Sequence, residues 1–145
     1  MSRASPQLPE EDFGWRLMAG VSRGAAGEIL AARLLREKGY DILSANFRCR
    51  QGEIDIIAAK DNYIVFAEVK TRSADAIYSA REAVTGQKQR RLLQTAALYL
   101  SRFPDDRQPR FDVIEVITEN EGTMAVREIN HIMGAFEAGD LSGAF

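Results

Sequence analysis

Glu53 and Asp55 stand in the segment Gly52-Glu53-Ile54-Asp55-Ile56-Ile57, and Glu68 and Lys70 in Ile64-Val65-Phe66-Ala67-Glu68-Val69-Lys70. Both segments otherwise read as buried β-strand. Side chains alternate across a strand, so Glu53 and Asp55 are predicted to share one face, and Glu68 and Lys70 are predicted to share one too. Ionisable groups inside a strand are costly unless they are paired, hydrated or bound to metal. Mg²⁺, with Mn²⁺ as a substitute, prefers oxygen ligands and typically takes one or two carboxylates, completed by water and phosphate oxygens. A short hairpin would bring Asp55 and Glu68 together as those carboxylates. Glu53 would join the ligand set or support it from behind. Lys70 would orient or deprotonate an attacking water, or offset charge building on phosphoryl oxygens. The chemistry is phosphodiester hydrolysis. The plainer alternative is a set of cross-strand ion pairs on a solvated sheet face. Ile57 and Phe66 have the same parity as the charged residues, which argues against a wholly solvated face.

A second set of residues suits the substrate. Gln87-Lys88-Gln89-Arg90-Arg91 opens the second long helix with three cations, where free N–H groups and the helix dipole already favour anions. Lys88 and Arg91 lie one helical step apart, placed to contact backbone phosphates; the alternative is a solvated helix face. Arg48, Arg50, Thr71 and Arg72 are further candidates for nucleic-acid contact. With few base-reading signatures, such binding would follow backbone and shape more than sequence. The net charge of −2 hides an asymmetry: residues 33–91 carry twelve Lys and Arg against eight Asp and Glu, a net of +4. The positive third of the chain is therefore the third that holds the acidic strands, consistent with a polyanionic partner.

Other chemistries lack material. His131 is the only histidine, so His-based triads and His-rich zinc sites are excluded, and it is assigned to packing or the surface. Cys49 is the only cysteine, so no internal disulfide forms; it reads as a small, half-buried thiol in a reducing, cytoplasmic protein. No phosphate-binding Gly-x-x-x-x-Gly-Lys loop and no Gly-x-Gly-x-x-Gly is present. Asp112 alternates with Ile114 and Val116 and is given a structural role. No segment reads as a signal peptide or is long and apolar enough to span a membrane.

The elements that must position these residues follow from periodicity. Ser22 is predicted to cap a helix that runs to about Lys38 and is closed by Gly39. Strands are expected at about Tyr40–Asn46, Glu53–Ala59 and Tyr63–Thr71, with Phe47–Gly52 as a basic turn and Lys60-Asp61-Asn62 as a hairpin turn. A looser stretch over Ser73–Ala80 precedes a helix from about Thr85 or Gly86 to Arg102. A loop from Pro104 to Pro109 leads to strands at Phe111–Ile117 and Met124–Ile129. The order α-β-β-β-α-β-β implies an α/β fold, a mixed sheet with helices packed on it. At 145 residues and 46% hydrophobic, the chain fits one domain. Residues 1–21 read as a flexible extension whose Trp15 region could instead dock a partner, 22–134 as the domain, and 135–145 as a tail.

Several motifs together carry a resemblance. Gly27-Glu28, Asn46-Phe47-Arg48-Cys49, Gly52-Glu53-Ile54-Asp55, Glu68-Val69-Lys70-Thr71-Arg72, Lys88 with Arg91, and Arg110-Phe111-Asp112-Val113 resemble the YraN-like family, over about residues 22–134. That family belongs to the restriction-endonuclease-like, or PD-(D/E)xK, superfamily, which also contains archaeal Holliday-junction resolvases. The resemblance implies a Mg²⁺-dependent nuclease core on a mixed sheet. By motif position Asp55 is the first acid, Glu68 the second and Lys70 the lysine, with Ile54 where the superfamily often has proline. Glu28 matches a helix-borne acid beside the metal, which adds it to the catalytic and metal set; on residue type alone it reads equally as a solvated helix glutamate. The expected partner is nucleic acid, with DNA favoured and branched or processing intermediates as candidate substrates. Junction-cutting relatives act as homodimers, and two-fold symmetry would suit a symmetric substrate. The other reading is a nucleic-acid-binding or scaffolding protein that keeps this fold without efficient cleavage.

Overall fold

The structure, a computed structural model, describes residues 20–75 and 85–136. Most of the N-terminal extension, the end of the Ser73–Ala80 stretch and nearly all of the C-terminal tail lie outside the described residues, as does the Trp15 region.

Helix α1 spans Arg23–Glu37. Its N-cap is Ser22, whose hydroxyl accepts from the Ala25 amide at 3.1 Å, satisfying one of the donors that a helix start leaves free. Gly39 ends the helix at φ +96°, a left-handed conformation that glycine adopts without a Cβ penalty. Three strands follow: β1 at Asp41–Arg48, β2 at Glu53–Lys60 and β3 at Tyr63–Ser73. Helix α2 is Gly86–Arg102, capped by the Thr85 side chain, and strands β4 (Gln108–Thr118) and β5 (Val126–Phe136) complete the fold. The order α-β-β-β-α-β-β is the expected one. The strands run longer than their sequence signals. β4 takes in Pro109, part of the expected loop; it has no N–H to offer, but it sits near the strand start, before β5 joins at Phe111.

One five-stranded sheet has the order β1-β2-β3-β4-β5. All neighbours are antiparallel except β3 and β4, which run parallel from Tyr63 beside Gln108 to Ser73 beside Thr118. A parallel pair needs a crossover, and α2 lies on that connection. The sheet is covered on both faces. Ile54, Ile57, Phe66, Phe111 and Val113 pack with Leu92, Ala96 and Tyr99 of α2. Ile56, Ala58, Val65, Ala67 and Ile114 pack with Ala31, Leu34 and Leu35 of α1. Two helix-covered faces explain why β2 and β3 read as nearly continuous apolar runs.

The side-chain alternation expected along β2 does not hold throughout. Ile54 and Ile57 both reach the α2 side, whereas Ile56 and Ala58 reach the α1 side, so the strand changes face between Ile54 and Ile56. Strand β1 turns over at the same level. Asn46, which falls opposite Asp55 between the pairs Ala45–Ile56 and Phe47–Ile54, has φ +56°. Asparagine tolerates that left-handed conformation better than most residues. The even alternation assumed along β2 thus breaks at Asp55, while Glu53 and Asp55 both line one groove.

Candidate active site

The β2–β3 ladder ends at the pair Ile56–Ala67. Beyond it the strands part, and the Val69 amide has no backbone partner on β2. The Asp55 side chain serves instead: Oδ2 accepts from Val69 N at 2.8 Å. Asp55 is only 9% exposed and Glu68 8%. Both line a groove of about 470 Å³ together with Gly52, Glu53 and, from the start of α2, Thr85, Gln87, Lys88 and Arg91.

The charges are unevenly compensated. Glu68 Oε2 receives two ammonium groups, Lys88 Nζ at 3.0 Å and Lys70 Nζ at 3.3 Å. Among the described residues no ion pair reaches Asp55. Burial first, then repulsion by Glu68, Glu28 and Glu53, pushes its carboxyl up to about 7, against the help of the Val69 hydrogen bond. Lys70 is shifted down, by burial and by its contact with Lys88, although Glu68 opposes the shift. Lys88 is shifted up: burial works against its charge, but hydrogen bonds with Lys70 and Glu68 and the field of Asp55 outweigh it. Of the two lysines, Lys88 therefore holds its proton and Lys70 gives it up more readily.

Glu28, on α1, and Glu53 meet through Asn46, which stands in the motif Asn46-Phe47-Arg48-Cys49 but whose residue type carried no expected role in the site. The Asn46 amide is oriented by its surroundings. With its nitrogen turned inward it donates to Glu28 Oε1 and Glu53 Oε2, each at 3.1 Å. The signal that could have found it was an asparagine inside a strand, where that residue type is depleted. Gly27, one residue before Glu28, brings α1 against β3. A Cβ there would overlap Thr71 Oγ1, which is buried with no hydrogen-bond partner.

Of the expected nucleic-acid contacts, Lys88 and Arg91 line the groove. Arg48 and Arg72 do not. Arg48 is largely exposed and pairs with Glu53 at 3.5 Å. Arg72 is half-buried, its carbonyl accepting from Thr118 Oγ1 at 3.4 Å. Cys49 is half-buried beside Gln51 and Thr95. His131 and Asp112 lie together on the α1 side, in a polar cluster separate from the groove.

Does a divalent cation fit these residues? Among the described residues no three acids converge as a preformed cage. Mg²⁺ does not require one, because it keeps most of its waters and uses one or two carboxylates. Two buried carboxylates on one groove, one of them without a cation, supply that donor set.

Residues 27–116 match the model of the family described as "Uncharacterised protein family UPF0102". A UPF0102 protein of Caldanaerobacter subterraneus is 45% identical over 115 residues, covering 78% of this chain and 93% of its own length. One of Moorella thermoacetica is 47% identical over 115 residues (79% and 94%), and one of Lachnoclostridium phytofermentans 44% over 117 residues (79% and 92%). This chain belongs to the UPF0102 family, the YraN-like, endonuclease-like group.

Proposed function

We propose that this protein is a Mg²⁺-dependent endonuclease that hydrolyses phosphodiester bonds in nucleic acid, with DNA as the favoured substrate. The observation that carries the reading is the pair Asp55 and Glu68, buried on one groove with Asp55 uncompensated by any ion pair among the described residues. A binding module has no use for buried carboxylates that repel phosphate. Asp55 and Glu68 would hold the cation, Mg²⁺ or Mn²⁺, with Glu28 and Glu53 acting through Asn46 to steady the site. When bound, the ion lowers the pKa of water and polarises the phosphate. Lys70, with its depressed pKa, sits 3.3 Å from Glu68 and takes the role of orienting water or receiving its proton. Lys88 and Arg91, at the N-terminus of α2, hold the phosphodiester backbone.

The fold without cleavage is the second reading. It is favoured by Glu68, whose two ammonium partners already satisfy it. Calorimetric titration of Mg²⁺ into wild type and Asp55→Asn, with cleavage assays on linear and branched DNA, separates the two. Uptake of metal that disappears in Asp55→Asn, with metal-dependent cleavage, is the expected result. No uptake at millimolar metal would sink the nuclease and leave a scaffold.

A further inference from the structure

Glu68 is oversupplied with positive charge while its neighbour has none. Both ammonium groups converge on the same oxygen, Oε2. The two lysines differ in how they are held. Lys70 projects from the middle of β3, with a side chain 22% exposed. Lys88 is 36% exposed and stands in the first turn of α2, where the helix dipole disfavours a cation. Its long, flexible stem allows the ammonium to move without disturbing the helix. On its α2 side, opposite the acids Glu53, Asp55 and Glu68, the groove is lined by Thr85, Gln87 and Arg91, which suit an anion.

Resting on the nuclease reading above, we propose that Lys88 couples the metal to the substrate phosphate. In the free protein its ammonium neutralises Glu68. A divalent cation taking Glu68 would displace that ammonium into the groove beside Arg91, where the two cationic side chains and the metal repel one another until a phosphodiester neutralises them. Metal and nucleic acid therefore bind cooperatively, each tightening the other, and Lys88 is the residue through which they do so. By the reciprocity of linkage the factor is the same in both directions.

The test is binding, not turnover. Mg²⁺ is titrated calorimetrically into the full-length wild type, Lys88→Met and Lys88→Gln, each checked for an unchanged unfolding transition. A labelled DNA duplex is titrated by anisotropy with Ca²⁺ present or absent. Removing the tethered cation, which competes with the metal for Glu68, should raise the Mg²⁺ affinity of the free protein at least roughly fivefold. The same variants should bind DNA more weakly and lose the enhancement by Ca²⁺ that wild type shows, expected at roughly 5- to 150-fold. Mg²⁺ affinity equal to or below that of wild type in both variants would overturn the proposal while leaving the nuclease reading intact. So would a Ca²⁺ enhancement that survives the substitutions, or a duplex that no form of the protein binds. Absence of Mg²⁺ uptake in all three proteins would overturn the nuclease reading, and the coupling with it.

Discussion

Asp55 is held in a state that costs stability. Its folded pKa, about 7, lies above the ordinary aspartate value of 3.8, so the folded protein binds the proton more tightly than the unfolded chain does. Stability from this site is therefore fully present below about pH 4 and is lost as pH rises through 7. The shift corresponds to roughly 4 kcal/mol at most, since one pKa unit is about 1.4 kcal/mol and the group is coupled to Glu68. Asp55→Asn keeps an oxygen for the Val69 amide and removes the charge. Chemical denaturation should find it more stable than wild type at pH 8, with the difference vanishing toward pH 4. A wild-type advantage at pH 8 would contradict this electrostatic account. The same reasoning predicts that Mg²⁺ affinity rises between pH 6 and 8, as Asp55 loses the proton that competes with the metal. Asn46 invites a second comparison. Asn46→Gly keeps the left-handed backbone and deletes the amide, whereas Asn46→Ala also strains the backbone, by about 1–2 kcal/mol. Mg²⁺ affinity should fall about 10- to 100-fold in both variants, as with other supports behind metal ligands. Only Asn46→Ala should also melt earlier. Equal metal affinity in wild type and Asn46→Gly would reduce Asn46 to a backbone device.

The elements set the site through two close approaches and one reversal. Gly27 lets α1 lie against Thr71 of β3, which carries Glu28 toward the acids. Gly27→Ala would gain helix propensity, up to about 1 kcal/mol. The overlap with Thr71 Oγ1 outweighs it, because overpacking a tight contact typically costs about 1–3 kcal/mol. Thr71→Ala removes the obstructing oxygen and leaves only the Thr71 Cβ, 3.4 Å from the new methyl position. The double variant Gly27→Ala/Thr71→Ala should recover most of the lost stability in urea denaturation. Additive losses would mean that the contact is not the cause. The second approach is Gly52, where a Cβ would come within 3.2 Å of Thr95 Oγ1 on α2. It seats the turn before β2 against the helix that carries Lys88 and Arg91. The reversal at Asn46 and Asp55 places an acid where β2 and β3 separate.

At the scale of the molecule, the α1 face of the sheet carries a buried polar cluster apart from the groove. Asp112 accepts from Arg110 through both oxygens at 2.9 Å, from the Gly134 amide at 3.0 Å and from His131 Nε2 at 2.7 Å. Lys38, just past the end of α1, donates to His131 Nδ1 at 2.7 Å, so Nε2 carries the hydrogen shared with Asp112. Arg110 also reaches the Tyr40 hydroxyl at 2.6 Å. The cluster thus ties the end of α1 to β4 and β5. Burial raises the Asp112 pKa, but the bonds from His131, Arg110 and Gly134 prevail and hold it below the usual carboxylate range. Its contribution to stability is present above about pH 4 and is lost as pH falls through the depressed folded pKa. Asp112→Asn leaves Arg110 without its counter-charge and should cost about 3–5 kcal/mol near pH 7, shrinking at acid pH. Urea denaturation across pH 3–7 checks both statements, and a pH-independent loss would point to packing instead.

The sequence by itself determined the order of elements, the limits of the first helix at Ser22 and Gly39, and the acids and lysines worth watching. These depend on local periodicity, on capping chemistry and on the expense of charge inside a strand. It did not determine the reversal at Asp55, because strand parity assumes an even pleat and the left-handed Asn46 lies outside that assumption. It gave Asp112 a structural role, yet could not connect it to His131, nineteen residues along the chain and on the next strand. Which lysine neutralises Glu68, and that Asp55 has no ion pair among the described residues, only the tertiary structure decided. Those facts depend on α2 folding back over β3, and therefore on packing between residues that the chain holds far apart.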